Sequence, residues 1–249
     1  MTSPAFSPAM EIHFISDLHL EPSRPGLTDI LLRYLNGTAR QAGALYVLGD
    51  FFEFWIGDDI SIDDNAAVID ALAALADNGT RVYFMHGNRD FLIGADFARR
   101  ARARLLDDPT VIDLGGARTL LMHGDTLCTD DEAYQRFRAQ VRDPDNQRQF
   151  LALPAAQRRQ IAQTLRGSSR SEQAGKSMDI MDVNGQAVRE AMQRHGATRL
   201  IHGHTHRPAR HRVDLDNRSA ERIVLSDWHD ERGSVLICND SGCRFRDLT

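Results

Sequence analysis

Five short segments of this chain concentrate aspartate, histidine and asparagine: Asp17-Leu18-His19, Gly49-Asp50, Gly87-Asn88-Arg89-Asp90, His123-Gly124-Asp125 and His202-Gly203-His204-Thr205-His206. Oxygen and imidazole donors of this kind suit divalent cations. In Asp17-x-His19, residues i and i+2 fall on one side of an extended chain, so both side chains can reach one ion, while His204-x-His206 resembles a clamp that splits between two ions. Asp50 closes an apolar run, where an unpaired carboxylate is costly and one shared by two cations is stabilised by both. Gly87 permits a tight turn with close backbone approach beside Asn88, a neutral amide ligand, and Arg89, a fixed cation. The Asp17, Asp50 and Gly87 elements each have an ordinary reading alone as a cap, a turn or a surface histidine, whereas Gly203-His204-Thr205-His206 is strong on its own. The five in this order point to a dinuclear metallohydrolase acting on phosphorus.

Positioning such residues is a matter of strand ends. Nearly every segment follows an apolar run, at 12–15, 45–48, 82–85, 120–122 and 200–201, and strand ends gather at one edge of a sheet. The spacing predicts a strand over 11–16, a helix over 27–41, a helix over 65–77 closed by Asn78-Gly79, and a strand over 81–85. A hairpin is expected about Gly115-Gly116, and further strands at 200–201, 210–214, 222–225 and 234–238. Strands at both ends of the chain with helices between them suggest two packed sheets flanked by helices. The stretch 130–195 has no strand pattern, carries many arginines, and is broken by Pro144 and Pro154. It reads as a helical cap inserted into a single domain spanning 1–249.

The 249 residues are 42% hydrophobic and 26% charged with a net charge of -5, which suits a folded protein and argues against a general nucleic-acid binder. The three cysteines, Cys128, Cys238 and Cys243, lack paired spacing and read as buried thiols in a reducing compartment. Residues 1–10 read as a disordered leader without signal-peptide character. No apolar run approaches the roughly 20 residues that span a bilayer, so a cytoplasmic location is expected. His13, His195, His211 and His229 read as structural or exposed.

Over roughly residues 11–208 the motif series resembles the calcineurin-like metallophosphoesterase superfamily. The resemblance implies an α/β (α+β) fold, a four-layer β-sandwich flanked by helices. It places one metal on Asp17, His19, Asp50 and His206, and the other on Asp50, Asn88, His123 and His204. Where most of the superfamily has histidine after the asparagine, this chain has Arg89. That difference has a chemical reading of its own. A phosphodiester expels an alkoxide that benefits from a general acid. A pyrophosphate expels a phosphate monoester, which leaves unaided, and a guanidinium fork suits its several oxygens.

The segment 87–90, with 52–59 and 180–184, is similar to the branch of that superfamily that hydrolyses UDP-2,3-diacylglucosamine in lipid A biosynthesis. This implies cleavage of the pyrophosphate to UMP and 2,3-diacylglucosamine 1-phosphate by a bridging hydroxide, with Asp50, Asn88 and Arg89 as catalytic residues and two Mn2+ per chain. It further implies substrate contacts at Asn88, Arg89, Asp131, Ser169, Gln173, Lys176 and His204, with Gln173 standing where the family pattern has asparagine. Asp90 and Asp125 are candidates to orient the metal-bound histidines. The implied partners are the nucleotide-activated glycolipid and the cytoplasmic face of the inner membrane, with no nucleic acid and no obligate protein. The competing readings are a phosphodiesterase or phosphatase acting on a soluble nucleotide, and a non-catalytic scaffold of the same fold.

Overall fold

A computed structural model of the chain describes residues 10–175, 182–216, 218–229 and 232–249, with the side chains of 168–175 outside the description. Two sheets face each other. The first joins β1 (Ile12–Ile15), β2 (Ala44–Leu48), β3 (Arg81–Met85), β4 (Ala103–Leu106), β10 (Gly233–Asn239) and β11 (Gly242–Leu248) in the order β11-β10-β1-β2-β3-β4. The second joins β5 (Thr110–Leu114), β6 (Ala117–Leu121), β7 (Arg199–His202), β8 (Ala209–Leu215) and β9 (Arg218–Val224) in the order β5-β6-β7-β9-β8.

β1 to β4 run parallel, connected by α1 (Pro25–Asn36), α2 (Asp58–Asp64) with α3 (Ala66–Asp77), and α4 (Ala95–Arg100). Both faces of these strands are covered, which is why they read as unbroken apolar runs. Ile15, Val47, Val82 and Phe84 pack outward under Leu31 of α1, Ile69 and Leu72 of α3, and Phe97 of α4. Phe14, Tyr46 and Met85 face inward against Ile112, Leu121, Ile201 and Ile223 of the second sheet. In that inner layer Tyr46 stacks on Phe14 and Tyr83 with ring centroids 5.1 and 4.6 Å apart. A fourth layer is α8 (Gly185–Arg194), whose Val188 and Met192 cover Leu120 and Leu200. The two packed sheets flanked by helices that the sequence suggests, and the four-layer sandwich that the resemblance implies, are the fold.

Between β6 and β7 the chain forms α5 (Glu132–Arg142), α6 (Pro144–Leu151) and α7 (Ala155–Gly175). Asp131 caps α5 by accepting from the Tyr134 amide at 3.1 Å, and Asp143 caps α6, which starts on Pro144 as a proline-initiated helix should.

Some local expectations change. The helix expected over 27–41 ends at Asn36; Gly37 turns the chain into a separate 3-10 turn at Thr38–Gln41. The short helices α2 and α4 and the strands β4 and β11 were not read from the sequence. β11 is an edge strand with its charged side chains exposed, so it lacks an apolar signature. The expectation of three free thiols is corrected: Cys238 and Cys243 form a disulfide, and Cys128 alone stays free and buried. The register of the β10–β11 hairpin sets the two directly opposite, Cα atoms 4.0 Å apart. A five-residue spacing gives no hint of this until the hairpin is known.

Candidate metal centre

The five motifs meet at the C-terminal ends of β1, β2, β3, β6 and β7. The local backbone is unusual there. Asp17, His19, Asp50, His204 and His206 all have φ between +49° and +67°, five of the seven non-glycine residues with positive φ among the described residues. Each costs on the order of 1–3 kcal/mol, and such strain persists only where the surroundings enforce it. Enforcement is visible as a backbone zipper: the amide of Asp17 donates to the carbonyl of Gly49 at 3.1 Å, His19 to Asp50 at 3.0 Å, Leu20 to Phe51 at 3.0 Å and Glu53 to Leu20 at 3.0 Å. Glycines here are required by close approach, Gly87 and Gly203 among them. A Cβ on Gly87 would overlap Asp50, and one on Gly203 would overlap Asp17 and Ser16.

Two groups of donors result, Asp17 with His19 and His206, and Asp50 with His123 and His204. Within each group the donor atoms lie within 4.8 Å of one another. Asp50 stands between them, Oδ2 at 3.8 Å from His19 Nε2 and Oδ1 at 3.7 Å from His123 Nε2. Asn88 joins the second group, its Oδ1 3.0 Å from His123 Nε2.

The imidazoles are turned the same way. His19, His123 and His206 point Nε2 inward, while each Nδ1 faces an acceptor behind it: Glu53 Oε2 at 3.0 Å, the Leu48 carbonyl at 2.9 Å and Asp227 Oδ2 at 3.7 Å. The Leu48 carbonyl, hydrogen-bonded behind His123, fixes the tautomer that leaves its Nε2 free to bind a metal, while the Glu53 and Asp227 carboxylates stand as charge partners behind His19 and His206. These donors fit a pair of divalent cations: mixed imidazole, carboxylate and amide groups, oriented and held in strained conformations.

The electrostatics agree. Burial would raise the Asp17 carboxyl, but His206, His123 and His19 outweigh it and hold the group well below the usual range. Burial likewise opposes ionisation of Glu53, yet contact with His19 and the charges of Arg89 and Arg166 bring it down to about 2. Burial disfavours a charged His123, and Asp50, Asp125 and Asp17 override it to lift the imidazole to about 9. The same negative field draws a divalent cation, which displaces the proton. His204 is pushed down to about 4 by burial and by His123.

The remaining sequence-singled residues are placed as follows. Arg89 is half-buried, and its amide donates to Asp50 Oδ1 at 2.8 Å. Asp90 holds no histidine; it accepts from the amides of Gly87 and Phe51, both at 2.8 Å, and so ties two ligand loops together. Asp125 accepts from Tyr134 Oη at 3.0 Å and Arg138 Nε at 2.6 Å, which anchors α5 beside His123. Asp131 is the cap of α5, and Tyr134 one turn on lies beside His204, ring centroids 5.7 Å apart. Ser169 and Gln173 lie on α7 where side chains are outside the description, and Lys176 lies outside the described residues, as do 180 and 181 of the segment 180–184. A cavity of about 350 Å³ beside the site is lined by His86, Asp108, Arg138 and Arg142. Sequence reasoning missed the outer acceptors Glu53 and Asp227. Glu53 lay inside a quoted segment, but only the fold brings it to His19.

A family model described as calcineurin-like phosphoesterase matches residues 10–208. Among curated proteins, one named UDP-2,3-diacylglucosamine hydrolase from Aromatoleum aromaticum is 54% identical over 222 residues, covering 89% of this chain and 91% of its own. Proteins of the same name from Pseudomonas paraeruginosa and Klebsiella pneumoniae are 52% and 51% identical. They cover 94% and 91% of this chain, and 98% and 95% of their own lengths.

Proposed function

Because the chain belongs to the calcineurin-like phosphoesterase family and, within it, to the UDP-2,3-diacylglucosamine hydrolases, we propose that it hydrolyses the pyrophosphate bond of UDP-2,3-diacylglucosamine. Water would add to the uridine-side phosphorus while the bond to the bridging oxygen breaks, giving UMP and 2,3-diacylglucosamine 1-phosphate. The observation that carries this reading is the pair of donor groups with Asp50 facing both, and Asn88 and Arg89 on the adjoining turn.

Asp17, His19, Asp50 and His206 would hold one cation, and Asp50, Asn88, His123 and His204 the other, with Mn2+ as the proposed metal. When bound, the pair would supply a water of lowered pKa and positive charge for the phosphoryl oxygens. Asp50 fixes the spacing by facing both groups. Arg89 would neutralise phosphate oxygens with its fork. No general acid is needed, since the leaving group is a phosphate monoester that departs as an anion.

The helices α5 to α7 would act as a cap over the lipid half of the substrate. Their Phe137, Leu151 and Leu165 remain 41%, 39% and 43% exposed, which suits acyl chains or a lipid surface better than water. Asp131, Ser169, Gln173, Lys176 and His204 complete the proposed substrate contacts. No helix among the described residues is long and apolar enough to cross a membrane. Peripheral attachment to the cytoplasmic face of the inner membrane is therefore the proposed location.

The test compares purified protein on UDP-2,3-diacylglucosamine and on bis(p-nitrophenyl) phosphate, with and without Mn2+. Metal-dependent UMP release, at a kcat/KM far above that for the diester, is expected. Preference for the diester would contradict the substrate assignment.

A further inference from the structure

Arg166, on α7, reaches down from the helical insertion to two carboxylates of the ligand loops. Its Nη2 lies 2.6 Å from Glu21 Oε2, and its Nε 2.7 Å from Glu53 Oε1. Both carboxylates are buried, at 9% and 7% exposure, and each follows a metal motif: Glu21 comes after Asp17-x-His19, and Glu53 after Asp50. The two glutamates are not equivalent. The other oxygen of Glu53 lies 3.0 Å from His19 Nδ1, while among the described residues the Glu21 side chain pairs with Arg166 of α7. One carboxylate thus contacts the insertion on one side and a candidate metal ligand on the other.

Eight residues earlier on the same helix face, Arg158 donates from Nη1 to the Ile56 carbonyl at 2.7 Å and from Nη2 to Asp59 at 2.5 Å. The helix therefore crosses the loop after β2 at two points, and only the Arg166 point leads to the metal centre. An acceptor that orients a ligating imidazole tunes the metal strongly, with losses of about 10- to 100-fold on its removal. Arg166 meets Glu53 as an ion pair through Nε while its Nη2 is held by Glu21, so its charge fixes the carboxylate beside His19.

We propose that Arg166 is a positioning residue that couples the seating of α7 to metal binding, acting through Glu53 on His19. The inference rests on the reading of Asp17, His19 and His206 as a metal site. By linkage the coupling runs both ways: a seated α7 tightens metal binding, and bound metal holds α7 in place. Glu21 shares the clamp without touching a ligand, and so provides an internal control.

The experiment is a Mn2+ binding titration on the full chain without substrate, reading free Mn2+ by electron paramagnetic resonance. Wild type is compared with Glu53→Gln, Arg166→Met, their double variant, Arg166→Lys and Glu21→Gln. Glu53→Gln is expected to weaken one of two Mn2+ sites by about 10- to 100-fold. Arg166→Met should give a smaller loss at the same site, about threefold or more, and the double variant no more than Glu53→Gln alone, the non-additivity of groups acting in one chain. Arg166→Lys should recover part of the loss, and Glu21→Gln should leave Mn2+ affinity unchanged. Hydrogen exchange gives the reciprocal readout: Mn2+ protects the α7 backbone in wild type and fails to do so in Arg166→Met, with exchange in β1 to β3 confirming an intact sandwich. Unchanged Mn2+ affinity in Arg166→Met, or an equal loss in Glu21→Gln, would overturn the proposal while leaving the metal site intact. A folded wild type that takes up no Mn2+ would overturn the site reading as well.

Discussion

The residues of the candidate centre are held in conformations that only a ligand-binding role explains well. Asp17, His19, Asp50, His204 and His206 sit in the left-handed region although none is glycine, and buried carboxylates and imidazoles are crowded within a few ångströms of each other. Relaxing this arrangement would improve stability, so the strain marks a site kept for chemistry. Asp50, which faces both donor groups, is the most consequential position. Asp50→Ala should lose both metal ions and lower kcat by several orders of magnitude, measured by metal analysis of the dialysed protein alongside turnover. Near-normal turnover in that variant would remove the basis for the shared-ligand assignment. At this scale the candidate donors were legible in the sequence, because pairs such as Asp17-x-His19 and His204-x-His206 are local in the chain and stand just past apolar strands, although their left-handed backbone was not. Their outer partners were not legible. Glu53 and Asp227 meet His19 and His206 only through the fold.

Among the elements, the parallel strands carry the load. Phe84 on β3 is fully buried and packs edge-on against Phe51 and Phe97, centroids 5.8 and 5.1 Å away. Phe84→Ala should cost about 3–5 kcal/mol, read as a lower denaturation midpoint, and a loss under 1 kcal/mol would mean that the helix layer can collapse into the gap. β1 contains an ionisable group unrelated to catalysis. His13 is fully buried, its Nδ1 2.8 Å from Tyr34 Oη on α1. Burial lowers its pKa, against the opposing pull of Glu11, with Arg246 and Arg244 adding to the decrease. Because the folded state holds the imidazole neutral while the unfolded chain protonates it near its ordinary value of about 6.5, stability is full above that pH and falls as the solution is acidified below it. His13→Gln should flatten the decline in Tm between about pH 6.5 and pH 5; an unchanged slope would assign the acid sensitivity elsewhere. Apolar strands such as β2 and β3 were legible as runs. β11 was not, since an exposed edge strand carries the composition of a surface.

Across the whole molecule, the centre joins the two sheets. Asp17, His19, Asp50 and Asn88 come from loops of the six-stranded sheet, while His123, His204 and His206 come from loops of the five-stranded one. Metals bound here would tie the sandwich together at one edge, so chelation should lower Tm and added Mn2+ should restore it in a concentration-dependent way. A ligand at 100 times its Kd adds about 2.7 kcal/mol; a Tm indifferent to stripping and repletion would place any bound metal outside the sheet junction. The layered architecture was recoverable from the strand-helix alternation, whereas the reach of α7 onto the ligand loops through Arg158 and Arg166 depends on contacts across the chain that no local pattern encodes.

The central claim, metal-dependent attack of water on the uridine-side phosphorus, is tested most directly by hydrolysis of UDP-2,3-diacylglucosamine in 18O-labelled water with Mn2+ present. The account predicts one labelled oxygen in UMP and none in the lipid phosphate, with no products after chelation. Label in 2,3-diacylglucosamine 1-phosphate, or undiminished turnover without metal, would contradict it.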